Sequence, residues 1–160
     1  MTDNRFGYWD TLARVRLLTS CGVAVLTAFL AACGASDQQE WRGPPAADAD
    51  GAVSVETFEN HRETVDEQWE NAPVLLAAEF VQLEDRNAGK TSISGSSTGE
   101  GGSQTVTITF TELLDDAVRA ERWVLRIEPV AESYRLVSAT RTQRCQPGRG
   151  HETFAPEACS

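Results

Sequence analysis

The clearest pattern in the chain is an alternation. In QTVTITFTE, over 104–112, Val106, Ile108 and Phe110 interleave with Thr105, Thr107, Thr109 and Thr111. A period of two puts the apolar set on one buried sheet face and the threonines on a wet one. The same period predicts a second strand over about 119–128 with Trp123, Leu125 and Ile127 inward. A third, over about 133–142, carries Tyr134 and Leu136 on one face, and Asp115-Asp116 marks a turn. Short connections favour antiparallel neighbours. Helical spacing comes earlier. Val55, Phe58, Val65 and Trp69 form a narrow stripe over 54–71, with Ser54 as cap and Arg62 in the middle of the stripe, its stem packed and its head reaching out. Glu59, Glu63 and Glu67 lie on an adjacent flank, read as a solvated face. Pro73 suits a helix start, so 73–84 is predicted as a buried helix, with a strand as the alternative. The Gly/Ser-rich segment 86–103 reads as a flexible loop with at most a short edge strand near 91–94. The expectation is an α+β domain: one or two N-terminal helices packed on a three- or four-stranded antiparallel sheet.

A different pattern opens the chain. Arg5, Arg14 and Arg16 precede an apolar run over 17–32, LLTSCGVAVLTAFLAA. Its 16 residues are fewer than the roughly 20 that a membrane-spanning helix needs. A basic start, an apolar middle and small residues at the end describe an export signal. Leu30-Ala31-Ala32-Cys33 resembles the lipobox of bacterial lipoproteins. That resemblance implies lipidation of the Cys33 thiol, cleavage before it, and a mature protein beginning there. Leu18-Thr19-Ser20-Cys21 also fits the short pattern, but Arg14 and Arg16 leave it almost no apolar segment. Gly34, rather than Asp, after the cysteine implies the outer membrane of a bacterial envelope, on the periplasmic side. The resulting organisation is a signal peptide over 1–32, a flexible tether over 33–52 containing Trp41, and a single α+β domain over 53–160. The alternative to a plain tether is that Trp41 pins it to the domain or rests at the membrane interface.

From Cys33 onward, 11 basic residues face 22 acidic ones, a net charge of −11. Such a chain is a poor ligand for nucleic acid. With Cys33 acylated and Cys21 discarded, Cys145 and Cys159 are left, and an oxidising compartment favours a disulfide between them that closes a C-terminal loop. Zinc ligation by Cys145, His151 and Cys159 is the weaker alternative, since three ligands in this spacing fit no familiar site. Pro147-Gly148 fits the centre of a type II turn. The tail RCQPGRGHETFAPEAC, with the preceding LLDDAVRAERW and YRLVSATRTQRC, resembles a C-terminal domain of bacterial secreted proteins and lipoproteins. The resemblance covers about the last third of the chain and implies an envelope protein of similar fold. It transfers no catalytic residue.

Chemistry is sparse. His61 and His151 are the only candidate bases near neutral pH, and no nucleophile elbow, phosphate loop or dinucleotide motif is present. No catalytic residue, metal or cofactor is assigned. The leading expectation is a non-catalytic interaction or assembly module held at the membrane by its lipid and meeting an envelope protein partner. The alternatives are a small-ligand binder, by analogy with cystatin-like and NTF2-like folds, and a hydrolase. If Trp123 and Tyr134 share the core face, strict alternation gathers Arg122, Arg126, Arg135 and Arg141 around Val124, Val137 and Ala139 on the outer face. That arginine-rimmed patch is the candidate interaction surface.

Overall fold

The structure is a computed structural model that describes residues 41–99 and 101–160. The signal segment, Cys33 and the beginning of the expected tether lie outside the described residues. No helix among the described residues is long and apolar enough to cross a membrane.

A five-stranded antiparallel sheet organises the domain. Its strands are β1 (Ala52–Val53), β2 (Ala88–Ser97), β3 (Gln104–Leu113), β4 (Val118–Val130) and β5 (Ser133–Cys145), in spatial order β1-β5-β4-β3-β2. Two helices, α1 (Glu56–Arg62) and α2 (Pro73–Phe80), lie between β1 and β2 in the chain. The alternation holds: Val106, Ile108, Phe110, Trp123, Leu125 and Ile127 are all buried, as is Leu136. In register, Ile108 faces Trp123 and Val106 faces Leu125, so their side chains form one apolar surface.

The sheet is larger than expected. The segment read as a flexible loop contains the ten-residue β2, paired without a bulge to β3 from Ala88↔Leu113 to Ser97↔Gln104. Its side chains bury almost nothing, so backbone pairing rather than apolar patterning holds it, and periodicity could not reveal it. The tether also ends earlier than 52. Trp41 is only 8% exposed and donates its indole N–H to the Phe80 carbonyl at 3.2 Å. Ala52 and Val53 then pair with Thr140 and Ala139 of β5.

The helix expected over 54–71 is broken. α1 stops at Arg62, where the Thr64 hydroxyl and amide both donate to the His61 carbonyl, at 2.7 and 2.9 Å. A hydroxyl bonded to the last turn competes with helix continuation, and the β-branched Thr64 and Val65 add to it. A 3₁₀ turn over Gln68–Asn71 follows, closed by a capping box between Glu67 and Glu70. Ser54 does not cap α1; Val55 occupies that position without a side-chain bond. α2 begins at Pro73 as expected but ends at Phe80, because Gln82 turns left-handed (φ 52°) and a 3₁₀ turn over Leu83–Asp85 follows.

The layer between helices and sheet is aromatic. Trp41 meets Phe58 edge-on at 5.0 Å and stacks near Phe80 at 5.6 Å. Phe80 also meets Phe58 edge-on at 5.2 Å and Trp123 at 5.9 Å. Such pairs add about 0.5–1.5 kcal/mol each to the stabilisation from burial itself. The acidic flank of α1 is partly drawn inward. Arg62 binds Glu59 at 2.8 Å and Glu70 at 3.6 Å, and the other Glu59 oxygen accepts the Leu136 amide of β5 at 2.8 Å. The Arg62 head, expected to reach outward, is therefore held within the fold.

Candidate functional site: the sheet faces and an arginine cleft

The four arginines predicted to share the outer face do not. Arg126 pairs with Ser138, but the next pair is Ile127↔Leu136, leaving Val137 as an extra residue on β5. This bulge shifts the parity of the strand by one. Leu136 and Ala139, three apart, both point into the core. Arg141 then falls opposite Trp123, on the helix-covered face. Strict alternation along β5 is thus corrected for Ala139 and Arg141.

The three that do share the outer face are already partnered. Glu128 binds Arg126 at 3.0 Å and Arg135 at 3.1 Å, and Arg135 is the main reason its carboxyl titrates below the ordinary range. Arg122 lies 3.8 Å over the Phe154 ring, with Arg144 at 5.5 Å. Around them the outer face is a field of hydroxyls, Ser92, Ser94 and Ser96 of β2 beside Thr109, Thr107 and Thr105 of β3.

Phe154 comes from the C-terminal loop. Cys145 and Cys159 form a disulfide with Cα atoms 5.4 Å apart, which takes up the two thiols that zinc would have needed. The Gln146–Arg149 turn centres on Pro147 and Gly148 (φ 78°), as a type II turn requires. A side chain at Gly150 would collide with the Cys145 sulfur. His151 sets Nδ1 2.8 Å from the Thr153 carbonyl and Nε2 2.9 Å from that of Glu157. Two acceptors on one ring favour the imidazolium, and these bonds, Glu157 first, raise its pKa. Arg149 reaches the Ser160 carbonyl at 3.4 Å and Asp116 at 3.5 Å. The conspicuous residues of the tail therefore each have a folding task, which accounts for the motif without chemistry.

Two features escaped the sequence reading. The first is a triad on the covered face. Glu121, almost fully buried, accepts the Trp123 indole N–H at 2.5 Å, Arg86 Nη1 at 3.2 Å, and Arg141 Nε and Nη2 at 2.7 and 2.6 Å. Arg86 arrives from the turn after α2 and donates Nε to the Val81 carbonyl at 3.0 Å. The triad carries one surplus positive charge beside a cleft of about 360 Å³. No local motif encodes it, since its members are 35 and 20 positions apart and Arg141 depends on the bulge.

The second is Glu79, which lines a cleft of about 440 Å³ with Trp69, Leu75 and Leu83. Burial raises its pKa, and nearby Glu84, Glu67 and Asp85 add to this while His61 opposes it. A carboxyl held toward neutrality is what a general acid needs, but the residues lining this cleft include no serine, threonine or cysteine nucleophile. No family model matches the chain, and neither a curated protein nor a solved structure matches it.

Proposed function

We propose that this chain is a lipid-anchored protein of the bacterial envelope whose domain is a non-catalytic interaction module, and that its partner adds an extended segment to the sheet at β2. The observation that carries this reading is an edge that no strand pairs with among the described residues. β2 is the outermost strand, ten residues long, bulge-free, without proline, and charged only at Lys90. Proteins commonly blunt such an edge with charges, bulges or cover, because its unpaired amides and carbonyls invite another strand. Strand addition takes its affinity from those groups and its selectivity from the alternating side chains. A second copy of this chain is a poor occupant, since two strongly acidic bodies repel, so the occupant is an extended segment of low or positive charge. The membrane link rests on the LAAC motif at Cys33 and on an apolar run of signal-peptide length.

The cystatin-like or NTF2-like alternative needs a chamber between helices and sheet. Among the described residues that layer is filled by the rings of Trp41, Phe58, Phe80 and Trp123. A ligand role is left to the cleft at the margin.

Crosslinking in intact cells, with crosslinked peptides mapped, tests the reading. Links should fall on β2 and be lost in Ile93→Lys with Ser94→Lys, two exposed positions where a charge blunts the edge without disturbing the core. Unchanged links in that variant would reject strand addition. Loss on Arg122→Glu with Arg126→Glu instead would move docking to the outer face. Intact mass should show a lipid on a chain beginning at Cys33; an unmodified start elsewhere would remove the anchor.

A further inference from the structure

We infer that the cleft beside the Arg86–Glu121–Arg141 triad is a recognition site for a small oxyanion, a carboxylate or phosphate group. The inference is independent of strand addition at β2, which lies at the far edge of the sheet from Arg141.

The charge balance is the first support. Arg42, Arg86 and Arg141 line the cleft, against Asp85 at its wall and Glu121 buried beneath. Three cations face two anions in a domain whose overall charge is strongly negative. A ligand carrying one negative charge would neutralise the surplus.

The second support is geometric. Each guanidinium of the triad is fixed by two of its three nitrogens. Arg86 uses Nε on the Val81 carbonyl and Nη1 on Glu121; Arg141 uses Nε and Nη2 on Glu121. Arg86 Nη2 and Arg141 Nη1 have no hydrogen-bond partner among the described residues. Both side chains are about 30% exposed and line the cleft. The Arg86 guanidinium is also held over the Phe110 and Trp123 rings, at 5.6 and 5.7 Å. Fork-shaped donors whose orientation is set before binding suit carboxylate and phosphate oxygens, and little conformational freedom is lost on capture.

The third support is the wall opposite. Gln82 holds a left-handed backbone, and its side chain fills the space where a Cβ at Gly43 would stand. Strained non-glycine backbone is enriched at ligand clamps. The close approach at Gly43 (φ 93°) brings the Trp41–Ala46 segment across the cleft and carries exposed Arg42 to its rim. At about 360 Å³ the space suits a small molecule rather than a polymer.

The test titrates the purified full-length chain in detergent with inorganic phosphate and, separately, succinate, at ionic strength matched with chloride. The readouts are calorimetry and the NMR signals of the Trp123 indole and arginine Nε–H groups. Saturable shifts above the chloride control are expected, and the stronger of the two anions identifies the oxyanion class. Arg42→Gln touches no triad member and should weaken binding about tenfold with an unchanged melting temperature, the scale of one charge-assisted hydrogen bond. Arg141→Lys keeps the charge but removes the fork, and should weaken binding by at least as much. Absence of saturable shifts with both anions would overturn the inference. So would wild-type affinity in both folded variants.

Discussion

β2 and β4 belong to one sheet and are both long antiparallel strands, yet they are held by different forces. Along β4 the inward side chains Glu121, Trp123, Leu125 and Ile127 are all buried. Along β2 every residue but the half-covered Ala88 is open to solvent, including Ile93 at 41%. Ile93 faces Ile108 across the β2–β3 pair, so two isoleucines in direct register have opposite fates. The helices and the Trp41 segment cover the middle of the sheet and stop short of this edge. A strand can therefore persist on backbone hydrogen bonds to one neighbour while its side chains stay available to something else. That division of labour is what the proposed docking edge requires.

Removing the cover should produce the largest effect. Phe80 is fully buried and meets three other rings, so Phe80→Ala should cost about 3–5 kcal/mol in chemical denaturation. A cost below about 1 kcal/mol would mean that the aromatic layer does not hold the covered half. The disulfide comes next. Cys145→Ser with Cys159→Ser releases a loop of 14 residues' separation and should cost about 3 kcal/mol by the same measurement.

Much of the covered half was legible in the sequence, because burial writes an apolar period. Val106, Ile108 and Phe110 announced β3, and Trp123, Leu125 and Ile127 announced β4. The cysteine pair was legible by count, since Cys145 and Cys159 are the only two cysteines after Cys21 and Cys33. β2 was not, because AGKTSISGSS buries no stripe and its Gly/Ser content mimics a linker. Nor was the break after Arg62, since an apolar stripe resumes at Trp69 as though one helix continued. The single extra residue at Val137 had the widest consequence: it moved Arg141 off the expected surface and into the triad with Glu121, and only the β4–β5 register reveals it.

A smaller effect tests whether the cover excludes charge. Glu79 is half-buried on α2, within that cover, and its pKa is raised, so its ionised form is disfavoured in the fold relative to the unfolded chain. A raised carboxyl contributes no penalty at pH below its unfolded value, where it is protonated in both states, and its penalty grows as pH rises through the folded value. Glu79→Gln should accordingly raise the melting temperature at neutral pH, with the gain vanishing toward pH 4 and below. A gain that is constant with pH would trace to packing instead of charge.

The smallest expected effect is the most discriminating. Ile93→Ser removes a large apolar side chain, yet at an exposed site it should shift stability by no more than about 0.5 kcal/mol. Ile108→Ala, at its cross-strand partner, should cost about 2–5 kcal/mol, because that side chain is wholly buried and its loss leaves a cavity. Native-state hydrogen exchange supplies the companion measurement. Amides of β2 should exchange through local opening well below the global free energy, while the inner amides of β4 exchange only with global unfolding. The two strands differ in cover and also in pairing, since β4 is bonded on both sides and β2 on one, so slower exchange in β4 reports burial together with a second ladder, and the isoleucine pair reads burial by itself. If Ile93→Ser costs as much as Ile108→Ala, then Ile93 is covered in the folded protein, and the edge is not free to receive a partner.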